Sequence, residues 1–216
     1  MRTFAAVWPP DEVLDHLDLT LATVRGGPSG RSSDVRWSAR ETWHLTTAFY
    51  GDVPDGLVPD LVAGLGEACA ALDPYPVGLR GAGVFSHRTL WVGAGGDLDA
   101  HQRVVRASRE AGESVGAQQD ARVRERPHLT IGRARPGSGP PRRRSSRPPS
   151  DGGRGPETRG VGEDPLASLV RALAVYEGPR WTVDEVRVVE SMPGAGRGGG
   201  PLYRTVERLP LRGAGS

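Results

Sequence analysis

The 216-residue sequence contains no lysine and no asparagine, a single isoleucine (Ile131) and a single cysteine (Cys69). One cysteine excludes an internal disulfide and any cysteine-based zinc cluster. Cys69 falls in an apolar stretch of helical spacing, so a buried structural thiol is the expectation. Without lysine, all 28 basic residues are arginine; they face 26 acidic ones, for a net charge of +2 and a pI near 9.1. A G+C-rich coding bias accounts for that skew, yet each arginine brings a planar fork that can hold phosphate through two hydrogen bonds. Runs of about 18 apolar residues are also missing, which excludes a membrane-spanning helix. Residues 1–10 lack the apolar core and cleavage site of a secretory signal, so a cytoplasmic protein is expected.

What is abundant is glycine and proline, at 31 and 19 residues, against a hydrophobic fraction of 37%. Much of this excess lies in 136–163, which has no aromatic residue and no aliphatic larger than alanine except Val161. Such a segment cannot bury enough apolar surface to offset its ordering entropy. It is expected to be a disordered insertion in one domain spanning 1–216. Its Arg142, Arg143, Arg144 and Arg147 could form an arm toward RNA phosphates, although a tolerated surface loop is the simpler reading.

Around the insertion, periodicity predicts helices over 11–24, 57–72, 98–115 and 164–176. It predicts strands over 2–8, 42–50, 77–85, 89–92, 124–133, 182–191 and 202–209. Strands and helices interleave without the rhythm of a doubly wound sheet, so an α+β fold with antiparallel sheets is expected. The glycine-rich stretch 194–200 is not a phosphate-binding P-loop, because no Lys-Ser/Thr follows it. It reads as a plain strand connector.

The chemically informative signal is a repeat. His44-Leu45-Thr46-Thr47 and His128-Leu129-Thr130-Ile131 each fall within a predicted strand, one in each half of the chain. In a strand, His and Thr at i and i+2 share a face while the intervening leucine points the other way. Two such strands would converge two imidazoles and two hydroxyls. That set suits in-line attack on a phosphodiester: one imidazole takes a proton from water and the other gives one to the leaving oxygen. The threonine hydroxyls would stabilise the charge that develops on the non-bridging oxygens. Arg133, five residues after His128, points to the opposite face on a straight strand; a bend near Gly132 would be needed to bring it to phosphate. No nearby Cys, Asp or Glu completes a three-ligand zinc set of customary spacing. His16 and His101 fall in helices and read as surface residues, and His87 falls in a hairpin turn and reads as solvated.

These segments resemble the RNA 2′,3′-cyclic phosphodiesterases, or 2′-5′ RNA ligase-like proteins, of the two-histidine phosphoesterase superfamily. The likeness rests on the opening strand from Met1 to Val7, on the two His-Leu-Thr segments and on Val84-Phe85 with Leu90-Trp91-Val92-Gly93. It continues through the strands at 186–191 and Leu202-Tyr203-Arg204. It implies a bilobal fold of antiparallel sheets flanked by helices, with a pseudo-twofold relation between halves and a central cleft. It also implies no metal and no cofactor, and opening of an RNA 2′,3′-cyclic phosphate to a 2′-phosphomonoester. By that resemblance His44 is the proton donor, His128 the proton acceptor, and Thr46, Thr130 and Arg133 hold phosphate. Thr47, where an aliphatic residue is usual, and the insertion after Arg133 depart from the pattern. The same chemistry on another cyclic nucleotide or a 2′-5′ linked oligonucleotide, or non-catalytic binding of RNA ends, remain alternatives. A monomer is the simplest expectation.

Overall fold

A computed structural model describes residues 1–26, 35–117, 126–135 and 165–213. The expected insertion at 136–163, and parts of the strand expected over 124–133 and of the helix expected over 164–176, lie outside these described residues. The chain runs β1 (Arg2–Val7), α1 (Asp11–Gly26), β2 (Val35–Trp37), β3 (Leu45–Asp52), α2 (Val58–Ala70), β4 (Tyr75–Phe85) and β5 (Thr89–Gly96). It continues through α3 (Leu98–Ser114), β6 (His128–Ala134), α4 (Pro165–Leu173), β7 (Glu177–Val183), β8 (Glu185–Met192) and β9 (Leu202–Pro210). This is the expected α+β architecture.

The strands form one antiparallel sheet of order β7-β4-β5-β6-β3-β1-β8-β9, with β2 added to β6. Its two halves, β7-β4-β5-β6 and β9-β8-β1-β3, mirror one another in role. They meet through one rung, Leu45 opposite Leu129. The bilobal expectation is therefore realised as two half-sheets hinged at the central leucines of the two motifs. α1 and α4 pack on β7 and β4 of one half, and α2 and α3 pack on β9 and β3 of the other.

Each strand's alternation explains this layering. In β1, Ala5 and Val7 join the main core beneath the helices, while Phe4 and Ala6 turn to the opposite, open face. There they pack with Val189, Trp8 and Tyr203. The main core is continuous across both halves, from Leu17 and Leu21 of α1 to Leu61 and Leu65 of α2.

Two short strands escape periodicity. β2 is only three residues long. β7 carries Gly178-Pro179, which break a strand pattern but are tolerated at a sheet edge, where a missing backbone donor faces solvent. What reads as one strand over 182–191 is therefore two, β7 and β8, split at Asp184.

The surface reading of His101 is corrected. His16 is exposed, but His101 lies on the buried stripe of α3 with Val104, Ser108 and Ala111 and is 1% exposed. Its Nδ1 hydrogen-bonds with the Tyr75 hydroxyl at 2.9 Å. Cys69 is buried as expected, and burial pushes its thiol up to about 12. Thr47 is accommodated on the core side: its hydroxyl pairs with Ser108 Oγ at 2.9 Å, and Ser108 donates to the Val104 carbonyl at 2.8 Å.

Burial lowers the His101 pKa to about 4, below the ordinary value near 6.5 that it regains on unfolding. Above pH 6.5 the ring is neutral in both states and costs nothing. As pH falls from about 6.5 towards 4, only the unfolded chain takes up the proton, so stability is lost, by roughly 3 kcal/mol in full. Chemical denaturation at stepped pH should show this loss, and His101→Gln should flatten it. An equally steep loss in that variant would refute the assignment.

Candidate functional site

His128 is the first residue of β6, and His44 stands one residue before β3 rather than within it. Both are half-buried on the open face, and between them Leu45 and Leu129 point into the core. Thr46 and Thr130 follow on the same face as their histidines, half-buried. The antiparallel register set by Leu45–Leu129 places His44 beside Thr130 and Thr46 beside His128. The two histidines are then diagonal neighbours, with backbones roughly 7–8 Å apart.

The two imidazoles are oriented the same way. His44 Nδ1 bonds to the Thr42 carbonyl at 2.8 Å, and His128 Nδ1 bonds to the Arg126 carbonyl at 3.0 Å. A carbonyl only accepts, so Nδ1 carries the proton in each ring and Nε2 carries the lone pair. The element that aims each ring is thus the extended segment just ahead of the motif, whose carbonyl two residues back fixes the tautomer.

Aromatic rings hold these imidazoles in place. His44 stacks on Phe4 and Trp8, with centroids at 4.9 and 4.7 Å, and meets Tyr203 edge-on at 5.3 Å. His128 meets Phe85 and Trp91 edge-on at 4.8 and 6.1 Å. None of these five aromatics was singled out as a site residue from the sequence. The signal was available for two of them, because even-numbered positions of β1 and the residue after it carry Phe4, Ala6 and Trp8 on the face opposite the core.

Arg133 reaches the open face despite its odd spacing from His128. In the pairing of β5 with β6, Gly93 faces His128 and Trp91 faces Thr130, but Leu90 faces Gly132 and Thr89 faces Arg133. Ile131 is therefore an extra residue, a β-bulge that reverses the alternation beyond it. His128, Thr130 and Arg133 consequently align with Gly93, Trp91 and Thr89 on one face. Arg133 is exposed there, and its charge acts on Tyr203, which touches His44. The required irregularity is present, one residue earlier than Gly132. β3 carries the same device: Ala6 faces Thr46 and Ala5 faces Ala48, leaving Thr47 as the extra residue. The position equivalent to Arg133 is Phe49, which is 47% exposed.

Burial lowers the His44 pKa to about 4, the charge of His128 lowers it further, and the Thr42 carbonyl opposes both. The ring is neutral at neutral pH, with Nε2 an open lone pair. Burial raises the Tyr203 hydroxyl, while Arg133 and Arg2 pull it down. Among the described residues, no three His, Cys, Asp or Glu side chains gather as a metal site.

With this geometry in view, comparison with known proteins is informative. The sequence profile of the 2′-5′ RNA ligase superfamily matches residues 9–139, more than half of the chain. The chain belongs to the 2′-5′ RNA ligase superfamily. An RNA 2′,3′-cyclic phosphodiesterase of Geobacillus stearothermophilus is 29% identical over 182 residues, covering 82% of this chain and 48% of that protein. The chain thus spans about half the length of that relative. One from Methanothermobacter thermautotrophicus is 24% identical over 215 residues, covering 98% of this chain and 99% of its own. In fold, the chain resembles the crystal structure of TT0787 of Thermus thermophilus, with TM-score 0.66, 23% identity and full coverage of both chains. It also resembles E. coli LigT complexed with 3′-AMP, with TM-score 0.63, 18% identity and coverage of 97% and 96%. These likenesses agree with the half-sheet arrangement described above. No helix among the described residues is long and apolar enough to cross a membrane.

The buried setting of His44 can be checked by NMR. Its imidazole should titrate near pH 4. His128→Ala should move that midpoint upward by removing a neighbouring positive charge. A midpoint at the ordinary value near 6.5 in the free protein would contradict the packing of His44 against Phe4 and Trp8.

Proposed function

We propose that the chain hydrolyses RNA 2′,3′-cyclic phosphate ends to 2′-phosphomonoesters by general acid and base catalysis with two histidines. The observation that supports this best is the matched pair of imidazoles. Each has Nδ1 tied to the carbonyl two residues back, which assigns the proton to Nδ1 and the lone pair to Nε2. The names of the relatives point to the same substrate class.

In this reading the cyclic phosphate sits between the diagonal histidines. His128 Nε2 takes a proton from water as the water oxygen attacks phosphorus. The bond from phosphorus to the 3′ oxygen breaks, and His44 Nε2–H delivers a proton to that oxygen. The products are a 2′-phosphate and a 3′-hydroxyl, and a proton exchange through solvent restores both rings. Thr46 and Thr130 donate to the non-bridging oxygens as charge builds. Arg133, brought over by the bulge at Ile131, offers a fork for the same oxygens. His44 is neutral in the empty site, and the anionic phosphodiester raises its affinity for the proton it must donate.

The low pKa of His44 favours a second assignment, with His44 the acceptor and His128 the donor. A substrate with sulfur at the bridging 3′ position separates the two, because a thiolate leaves without a proton. Hydrolysis by His44→Ala should be restored on the sulfur substrate if His44 is the donor. Restoration in His128→Ala instead would reverse the roles.

On the oxygen substrate, either alanine variant should lose about 10²- to 10⁴-fold in rate. The wild-type protein, kept in chelator, should convert an RNA 2′,3′-cyclic phosphate to the 2′-phosphate only. Full activity in both variants, or a 3′-phosphate product, would reject the mechanism.

A further inference from the structure

The half-sheet that carries His128 continues past the two histidines along β5, β4 and β7, and its open face is built on glycine. Trp91 lies flat over Gly83, where a Cβ would fall inside the indole, and over Gly93, where a Cβ would come within 3.3 Å of the ring. The Arg80 chain lies across Gly95, with Cδ 2.5 Å from where a Cβ would be, and Arg180 lies on Gly78 at 3.4 Å. Three long side chains therefore lie down on the sheet instead of standing up from it, and glycine is what permits this.

Register puts these groups in line with the site. His128 faces Gly93, Gly93 faces Arg80, and Arg180 faces Gly78 on the edge strand. Adjacent strands are about 4.8 Å apart, so Arg80 stands roughly 10 Å from His128 and Arg180 roughly 15 Å. Arg80, Arg180 and Glu177 line a shallow groove together with Gly78, Gly95 and Gly178. Both arginines are exposed. Neither makes an ion pair among the described residues, although Glu177 faces Arg80 across the strand pair.

We propose that this glycine-floored row is a binding track for the single-stranded RNA that leads into the site. Trp91 and Phe85, stacked at 5.0 Å, offer a platform for a base, and Arg80 and Arg180 hold successive phosphates. Flat aromatics joined to free guanidinium groups in a shallow groove are the recognition chemistry of single strands, for which stacking is indifferent to sequence. The inference rests on the function proposed above and extends it: the preferred substrate is an oligonucleotide, not a mononucleotide.

The test is binding of a fluorescently labelled single-stranded oligoribonucleotide ending in a 2′-phosphate, alongside turnover of a nucleoside 2′,3′-cyclic phosphate. The double variant Arg80→Ala, Arg180→Ala should bind the oligonucleotide about tenfold more weakly near 0.15 M salt, and its log–log salt slope should be shallower by about 1.4. Turnover of the mononucleotide should stay at the wild-type level, which also reports a folded variant. Arg80→Lys with Arg180→Lys should recover most of the salt slope. Equal affinity and slope in wild type and double variant would overturn the track, as would a wild type that does not bind the oligonucleotide. A wild type that binds it in this salt-dependent, arginine-dependent way but hydrolyses neither the nucleoside 2′,3′-cyclic phosphate nor an oligoribonucleotide ending in one would support the track and overturn the proposed reaction.

Discussion

The Leu45–Leu129 rung is the constraint on which the site depends. Each leucine is fully buried beneath the open face, and each is the middle residue of its motif. The pair serves at once as the join between half-sheets and as the anchor of two chemical groups on either side. Because the rung is antiparallel, it crosses the motifs so that each histidine neighbours the other motif's threonine. The separation of the imidazoles is thereby a property of strand register. Slipping one strand by one residue would turn its imidazole away from the other and bring its leucine to solvent. Core burial thus protects the spacing on which the proposed acid and base cooperation relies.

Beyond that rung the halves are built alike and used differently. Both motif strands bulge just after the threonine, at Thr47 and at Ile131, and both bulges turn the residue five past the histidine onto the open face. One half places Arg133 there and the other Phe49. A symmetric scaffold therefore presents a cation on one side and an apolar ring on the other. The rings around the histidines differ too: His44 stacks against Phe4 and Trp8, while Phe85 and Trp91 meet His128 edge-on. Stacking against two rings desolvates, and desolvation is the first cause of the low His44 pKa. Packing thus lowers the proton affinity of His44, and a shift of that kind is what can fit one of two like groups to a different role from the other.

What was legible in the sequence was whatever a local period can encode. Alternation in His-Leu-Thr gives the shared face, and the four helices and long strands follow from their apolar spacing. The faces of His101 and Arg133 were misjudged or left conditional for opposite reasons. His101 sits on the inner stripe of α3, and a histidine there reads as polar until Tyr75, from a distant strand, supplies its partner. Arg133 depends on an extra residue in the pairing of β5 with β6, and a bulge has no local signature when the bulged residue is an ordinary isoleucine. β7 was hidden by Gly178-Pro179, whose tolerance comes from an edge position that only the assembled sheet defines. The aromatic walls are of the same kind: Trp8 precedes His44 by 36 residues and Tyr203 follows it by 159, so their meeting is purely tertiary.

The histidine pair and the arginine row make separable demands on a ligand. The diagonal imidazoles read only one phosphate and the sugar oxygens attached to it, which any cyclic nucleotide supplies. Gly83, Gly93 and Gly95 have no part in that chemistry, yet each holds a position where a side chain would collide with Trp91 or Arg80. Glycine in a strand interior costs about 0.5–1 kcal/mol relative to alanine. Several such glycines beneath one half-buried tryptophan and one exposed arginine are a standing cost to the half-sheet with no return in core packing. A flat surface beside the reacting phosphate is what they produce, and a chain of nucleotides is the ligand shape that uses it.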